Sequence, residues 1–147
     1  MQHKVIVVGT DGSGRASAAV EEALSLAKAY GSTVHAVTTV DHRVAAGFAD
    51  SRAAQFDVND QTQKLDAIRT TVTAEAQRAG VPLEFHSPGA NDPADGILEV
   101  ATKVGADLVV VGNRGMSGVK RFVLGSVPNK VSHHCPCSVL IVNTEGD

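Results

Sequence analysis

The strongest constraint on the fold is an alternation between short valine-rich runs and alanine-rich segments of helical periodicity. Within each run the apolar residues are continuous, as expected for parallel strands that are covered on both faces. Between the runs, apolar residues recur at three- and four-residue steps, which marks one face of a helix. The alternation therefore predicts an α/β fold, a single open five-stranded parallel sheet with helices on both faces.

The predicted order is β-α-β-α-β-α-β-α-β in one domain, residues 1–147. Gly31, Gly80 and Gly105 each follow a periodic segment and predict helix ends, whereas Asp92 followed by Pro93 predicts a helix start. Residues 41–61 lack a clear period and predict a long variable loop or lid, with a helical turn around 45–54. The predicted strands are residues 4–9, 33–40, 83–86, 107–112 and 138–142.

Composition and charge exclude several classes of protein. The formal net charge of −3 argues against a general nucleic-acid or membrane-surface partner. No stretch approaches the ~20 apolar residues that span a bilayer. The first apolar run, Val5–Val8, is too short for a signal peptide. Cys135 and Cys137 lie too close in sequence for a disulfide framework. Together these features predict a cytoplasmic globular domain.

A glycine-rich segment, GNRGMSGVKRFVLGS, begins at the end of the fourth predicted strand. In open parallel sheets, ligands bind beyond the carboxyl ends of strands, where the strand order reverses. Gly112 would let the backbone approach a ligand, and Gly115 would permit a turn over phosphates. Gly125 and Ser126 would present amides and a hydroxyl at a helix start, which is an anion site. The spacing thus predicts a phosphate-binding loop, although glycines that serve only as turns are the alternative.

Positive charge in the same segment supports a phosphate ligand. Arg114, Lys120 and Arg121 all lie between the first and last glycine. The nine residues between Gly115 and Gly125 are predicted to form a mobile flap over the phosphates.

A second polar turn, GTDGSG, follows the first predicted strand. Asp11 could hold ribose hydroxyls or a magnesium ion carried by a nucleotide. The alternative is that Asp11 caps the next helix, in competition with Ser13. Residue chemistry alone leaves both roles open.

Three segments, GTDGS, DLVVVGNRG and GSVPNKVSHHCPCSVLIV, together resemble the universal stress protein family in its nucleotide-binding branch. The resemblance covers essentially the whole chain apart from residues 41–61, and the G-x2-G-x9-G-[S/T] motif of that branch is complete. It implies a Rossmann-like fold of the adenine nucleotide alpha hydrolase-like type. It also implies the strand order 3-2-1-4-5, which places the first and fourth strands side by side.

The resemblance further implies a site for ATP or another adenine nucleotide. The glycine motif with Val127 would surround the phosphates, the turn at Asp11 would contact ribose or phosphate, and Thr39 with Val40 would hold adenine through backbone groups. The predicted nucleotide-binding residues are Thr10, Asp11, Gly12, Thr39, Val40, Gly112, Arg114, Gly115, Gly125, Ser126 and Val127.

Family members commonly form homodimers through the last strand, which here is the apolar segment Ser138–Val142. An apolar edge strand needs cover, so the same pairing is physically reasonable in this chain. The expected partners are therefore an adenine nucleotide and a second copy of the chain.

The predicted function is regulation, sensing or nucleotide sequestration in a stress response, with no catalytic residue. The alternative is a slow ATP hydrolase or phosphotransferase, but no evident general base or magnesium-holding carboxylate pair lies near the phosphates. A more remote alternative is a nicotinamide-dinucleotide oxidoreductase. The segment GSGRAS, residues 12–17, imitates a dinucleotide fingerprint with serine as its last residue, yet the chain is short for two nucleotide-binding halves.

One cluster invites a metal-binding interpretation. His133, His134, Cys135 and Cys137 place four potential ligands within five residues. Their spacing matches no standard zinc pattern, and histidines in a last helical turn interact well with the helix dipole. We therefore expect a helix end and a core thiol here, and no metal site.

Overall fold

The computed structural model describes residues 3–41, 52–90, 92–113 and 124–144. Seven strands and four helices follow one another along these ranges. They are β1 (Val5–Gly9), α1 (Gly14–Tyr30), β2 (Thr33–Val37), β3 (Val40–Asp41), α2 (Arg52–Ala79), β4 (Leu83–His86), β5 (Gly89–Ala90), α3 (Pro93–Val104), β6 (Leu108–Gly112), α4 (Ser126–His134) and β7 (Ser138–Val142).

The main sheet has five parallel strands in the order β4-β2-β1-β6-β7. When the two-residue strands β3 and β5 are set aside, this is the predicted order 3-2-1-4-5, and the predicted fold is confirmed. β1 and β6 are direct neighbours, so their carboxyl ends meet at the point where the chain crosses from one half of the sheet to the other.

The second predicted strand, residues 33–40, is divided in the structure. β2 ends at Val37, and Val40 pairs with Gly89 in the separate small sheet formed by β3 and β5. The intervening Thr38 is still held by its neighbours, because its amide donates to the carbonyl oxygen of His86 at 3.0 Å. The break turns the chain away from the main sheet at the edge where a ligand is expected.

The predicted loop, residues 41–61, is wrong over its second half. α2 begins at Arg52, so residues 52–61 are helical and continue into the predicted helix. No glycine or proline lies between Arg52 and Ala79 to stop a helix, which favours a continuous helix over this segment. Residues 42–51, with most of the helical turn predicted around 45–54, lie outside the described residues.

The core consists of two layers, one on each face of the sheet. Alternate residues of each strand point to opposite faces. Ile6 and Val8 pack with α1 and α2, whereas Val7 packs with α3 and α4 on the other face. At the centre of the sheet the side chains of the valines are buried, and their backbone N–H and C=O groups are hydrogen-bonded to the neighbouring parallel strands. Within the described residues, no helix is both long and apolar enough to cross a membrane.

The helix ends follow the predicted capping residues. Ser13 Oγ accepts a hydrogen bond from the Ala16 amide at 3.1 Å, which starts α1. Gly31 and Gly105 end α1 and α3 with φ of 70° and 65°, a left-handed conformation that glycine adopts without a Cβ penalty.

Asp92 caps α3 and also ties it to α4. Its Oδ1 accepts from the Asp95 amide at 3.0 Å, and its Oδ2 accepts from Lys130 Nζ at 2.9 Å. The hydrogen bond from Lys130, followed by that from the Asp95 amide, lowers the pKa of Asp92 below its ordinary value of 3.8. Lys130 Nζ also lies 2.8 Å from Asp95 Oδ1.

Replacing Asp92 by alanine is expected to lower the free energy of unfolding by about 1 kcal/mol, because the capping acceptor is lost. Asp92→Asn is the matched control, since it keeps the cap and removes the charge. A lowered pKa means that the charge stabilises the fold above pH 3.8 and that this contribution disappears as the pH falls through the lower value. Urea unfolding at neutral and acidic pH checks both points, and an Asp92→Asn difference that persists in strong acid would contradict the second.

Candidate functional site

A cleft opens at the carboxyl ends of β1 and β6. Its cavity volume is about 330 Å³, and it is bounded by the turn after β1, the end of β2, the start of α3 and the start of α4. Of the predicted site residues, the cleft brings together Thr10, Asp11, Thr39, Gly112, Gly125, Ser126 and Val127.

The remaining predicted site residues do not line this cleft or lie outside the described residues. Gly12 lines a second cavity, of about 140 Å³, between α1 and α2. The backbone of Val40 lies in β3, paired with Gly89. Arg114 and Gly115 lie outside the described residues, as do Lys120, Arg121 and most of the predicted flap.

The floor of the cleft is formed by close packing between β1 and α3. A Cβ atom built on Gly9 would lie 2.5 Å from Ile97 Cδ1, closer than packed carbon atoms approach. The glycine at the end of β1 thus makes room for Ile97, a buried residue of α3 that is 3% exposed. Ile97 also lines the cleft, and the sequence identified it only as part of a buried helix face.

The turn after β1 is held by short-range hydrogen bonds. Thr10 Oγ1 accepts from the Gly12 amide at 3.2 Å, and Asp11 Oδ1 accepts from the Ser13 amide at 2.9 Å. Gly12 has φ of 79°, where a Cβ atom would also collide with Ile68. Ser13, and not Asp11, is the helix cap. Asp11 therefore shapes the turn and leaves an exposed carboxylate at the cleft.

The start of α4 provides the donors expected of a phosphate site. Gly125 is the capping residue, without a side-chain hydrogen bond, and its carbonyl oxygen accepts the first helical bond from the Asn129 amide at 3.0 Å. The amides of Ser126 and Val127 have no acceptor within the helix. Pro128 carries no amide hydrogen, so α4 opens towards the cleft with two first-turn amides, rather than three, that have no acceptor among the described residues.

The predicted amide donor at Gly125 is used within the protein. It donates to the carbonyl oxygen of Asn113 at 2.9 Å. Asn113 also joins β7, because its amide donates to the Val142 carbonyl oxygen and its Oδ1 accepts from the Thr144 amide and hydroxyl at 3.0 and 2.7 Å. Gly125 thus fixes the helix start, and the amides without a helical acceptor are those of the next two residues.

The opposite wall of the cleft is formed by the break between β2 and β3. Thr38 Oγ1 donates to the Thr10 carbonyl oxygen at 2.8 Å, which ties this wall to the turn after β1. Thr39 Oγ1 donates to the Pro93 carbonyl oxygen at 3.3 Å. A Cβ atom on Gly96 would overlap Thr39 Oγ1, so glycine in α3 permits this close contact.

The cysteine pair lies away from the cleft, at the end of α4. Both thiols are partly buried against the α3-side core, and their sulfur atoms lie 3.6 Å apart. Burial, followed by the hydrogen bond to Cys135, raises the pKa of Cys137 to about 12.

Comparison with known proteins identifies the family. The universal stress protein family model matches residues 2–143. A universal stress protein of Staphylococcus saprophyticus is 32% identical over 148 residues, covering 99% of this chain and 86% of the relative. A solved universal stress protein in complex with cAMP is 32% identical, with a TM-score of 0.67, covering 99% of this chain and 100% of that one.

A second solved structure supports the fold. Universal stress protein UspA from Lactobacillus plantarum is 21% identical with a TM-score of 0.80, and the match covers 97% of this chain and 99% of the other. The whole domain, rather than a shared motif, is thus common to these proteins. The chain belongs to the universal stress protein family.

Proposed function

We propose that this protein binds an adenine nucleotide, with ATP as its preferred ligand, in the cleft at the ends of β1 and β6. The observation that carries the proposal is the pair of open amides at Ser126 and Val127, which line the cleft at the start of α4. A helix N-terminus attracts anions through its free N–H groups and its dipole. The phosphates would therefore lie at this end, beside Gly112.

The rest of the cleft suits a nucleoside. Its volume of about 330 Å³ falls within the range of small-molecule sites, roughly 300–1,000 Å³. Val37, Ile97 and Val111 supply apolar walls for a base. Asp11 would meet the ribose hydroxyls or a magnesium ion that the nucleotide carries. Thr39 and Val40 stay the predicted backbone contacts to adenine, and Arg114 and Gly115 stay predicted phosphate contacts.

The choice of ATP rests on the complete glycine motif, which is the diagnostic motif of the ATP-binding branch that the sequence resembles. The solved relative that is 32% identical was crystallised with cAMP, which has a single phosphate. Calorimetric titration of the nucleotide-free protein with ATP, ADP, AMP and cAMP, each with and without Mg²⁺, separates the two ligands. We expect one equivalent of ATP to bind most tightly, and mass spectrometry of nucleotide that co-purifies should identify the same compound. Tighter binding of cAMP would overturn the preference for ATP, and binding of none would overturn the site.

We propose a regulatory or nucleotide-sequestering role in a stress response rather than catalysis. Among the described residues that line the cleft, Asp11 is the single carboxylate, and no histidine lies there to act as a general base. Incubation of the protein with ATP and Mg²⁺ tests this role. Bound ATP should survive, and release of ADP over repeated turnovers would instead favour the slow hydrolase.

We also propose a cytoplasmic homodimer that pairs through β7. β7 is at the edge of the sheet, hydrogen-bonded on one side to β6, and its residues 139–142 are partly exposed. An edge strand whose outer N–H and C=O groups are unpaired tends to pair with a strand of another chain. Sedimentation analysis of the protein, compared with a Leu140→Lys variant, tests this interface, and a dimer that survives the added charge would place the contact elsewhere.

A further inference from the structure

Three potential metal ligands lie together on one face of the sheet, at its β4 edge. His35 comes from β2, and Glu84 and His86 come from β4. Residues two apart in a strand share a face, so Glu84 and His86 point to the same side. The parallel pairing of β2 with β4 places His35 beside Glu84 and Val37 beside His86. Since Val37 packs with α3, the three residues lie on the α3 side of the sheet.

The distances between the three groups fit one shared ion. His35 Nδ1 lies 2.9 Å from His86 Nε2 and 3.6 Å from Glu84 Oε2, and His86 Nε2 lies 3.9 Å from Glu84 Oε1. Zinc binds imidazole nitrogen and carboxylate oxygen at about 2.0–2.2 Å, so two ligand atoms of one ion stand at most about 4.4 Å apart. All three separations lie below that limit, with the two histidines facing different oxygens of Glu84. One ligand atom from each residue lies within 4.8 Å of the other two. Binding of one ion would therefore need a small adjustment, in which the 2.9 Å hydrogen bond between the rings lengthens.

Burial differs among the three groups in a way that suits a half-open metal centre. The side chains of His35 and His86 are 11% and 14% exposed, whereas that of Glu84 is 66% exposed. The imidazoles are thus shielded and held by the strand ladder, and the carboxylate faces solvent. Three protein ligands with a remaining position open to water is the arrangement of catalytic zinc sites and of 2-His-1-carboxylate sites.

We propose that His35, Glu84 and His86 form a binding site for a divalent transition-metal ion, of which Zn²⁺ is the best match to two imidazoles and one carboxylate. The site is separate from the nucleotide cleft, because none of the three residues lines it. It is also separate from the histidine–cysteine segment at the end of α4.

The protonation state of His35 is compatible with this role. Burial, followed by the nearby His86, lowers the pKa of His35, and Glu84 opposes the shift. The neutral imidazole is the form that binds metal ions. Without a metal, the contact between the two rings is a hydrogen bond in which one ring nitrogen donates to the other. The competing explanation is a histidine pair that only stabilises the fold, and an experiment has to distinguish this pair from a metal site.

The test uses the full chain, freed of nucleotide and treated with a chelator, because nucleotides themselves bind metal ions. Titration with Co²⁺ should show one saturable site with the visible absorption of nitrogen and oxygen ligands and no thiolate-to-cobalt charge-transfer band. Zn²⁺ should displace the Co²⁺ and raise the melting temperature. His86→Gln should weaken Zn²⁺ binding by more than the roughly 10–100-fold that loss of a supporting partner costs. Glu84→Gln, on an exposed side chain, should weaken it as well.

The matched control is a fourfold variant, H133Q/H134Q/C135S/C137S, which removes the histidines and cysteines at the end of α4. It should bind Zn²⁺ as the wild-type chain does, and circular dichroism of each metal-free variant should show the wild-type fold. If His86→Gln does not fold, Glu84→Gln gives the same test. Absence of saturable binding, wild-type affinity in Glu84→Gln and His86→Gln, or loss of binding in the fourfold variant would each overturn the proposal.

Discussion

Replacing Ser126 by proline is expected to weaken ATP binding by about 10- to 150-fold, because a hydrogen bond to a charged group contributes about 1.5–3 kcal/mol. The change removes one of the two amide donors at the start of α4 together with the serine hydroxyl. Titration calorimetry of the nucleotide-free variant with ATP measures the loss directly. The remaining donor at Val127 accounts for residual binding.

The fold should tolerate this substitution. Ser126 is the first helical residue, where proline is favoured because the amide has no helical partner. A residue that precedes proline has to be extended, and Gly125 already has φ of −61° and ψ of 163°. The melting temperature should therefore stay close to that of the wild-type protein.

Ser126→Ala is the matched control, because it removes the hydroxyl and keeps the amide. If the amide is the main phosphate donor, the alanine variant should lose much less affinity than the proline variant. Equal losses in the two variants would assign the contact to the hydroxyl instead. Unchanged ATP affinity in a folded Ser126→Pro protein would show that phosphates do not bind at the start of α4.

Replacing Ile97 by alanine is expected to lower the free energy of unfolding by about 2–5 kcal/mol, the usual cost of truncating a large buried aliphatic side chain. Ile97 is 3% exposed and belongs to the core between the sheet and α3. The truncation also leaves a void below the cleft, so the floor on which a ligand would rest is lost. Urea unfolding monitored by circular dichroism gives the stability change.

Two further variants test the packing argument at Gly9. Ile97→Val removes only the terminal methyl group and should cost about 0.5–1.5 kcal/mol. Gly9→Ala should destabilise the wild-type chain, because the new Cβ atom meets that methyl group, but should cost much less in the Ile97→Val background. Additive effects of the two changes would show that Gly9 is glycine for a reason other than Ile97.

The sheet was predictable because its signals are local. Continuous valine runs such as Val5–Val8 define buried strands, and Ser13, Gly31, Asp92 and Gly105 mark helix ends through their own backbone chemistry. The start of α2 was not predicted, since the apolar side chains within residues 52–61 gave no clear period. The division of the second strand depends on β3 pairing with β5, which are far apart in the sequence.

The candidate site was predictable where a residue's role depends on its position at a strand end. Asp11, Gly112 and Ser126 line one cleft because β1 and β6 are neighbours. Which amides stay open was not predictable, because it depends on the hydrogen bond from Gly125 to Asn113. The grouping of His35 with Glu84 and His86 needs the register of β2 against β4. The only sequence signals were a histidine inside an apolar strand and the Glu-x-His spacing.

Asn113 is hydrogen-bonded both to the residue before α4 and to the end of β7, so it links the cleft to the edge of the sheet. Its carbonyl oxygen holds the first residue before α4, while its amide and side chain hold the end of β7 and Thr144. If a phosphate binds at the start of α4 as proposed, we expect it to act on the same residue that fixes the outer strand. Such coupling is reciprocal. If the protein dimerises through β7, ATP should shift the dimerisation constant, and dimerisation should shift the ATP affinity by the same factor. The fraction of dimer would then depend on the ATP concentration.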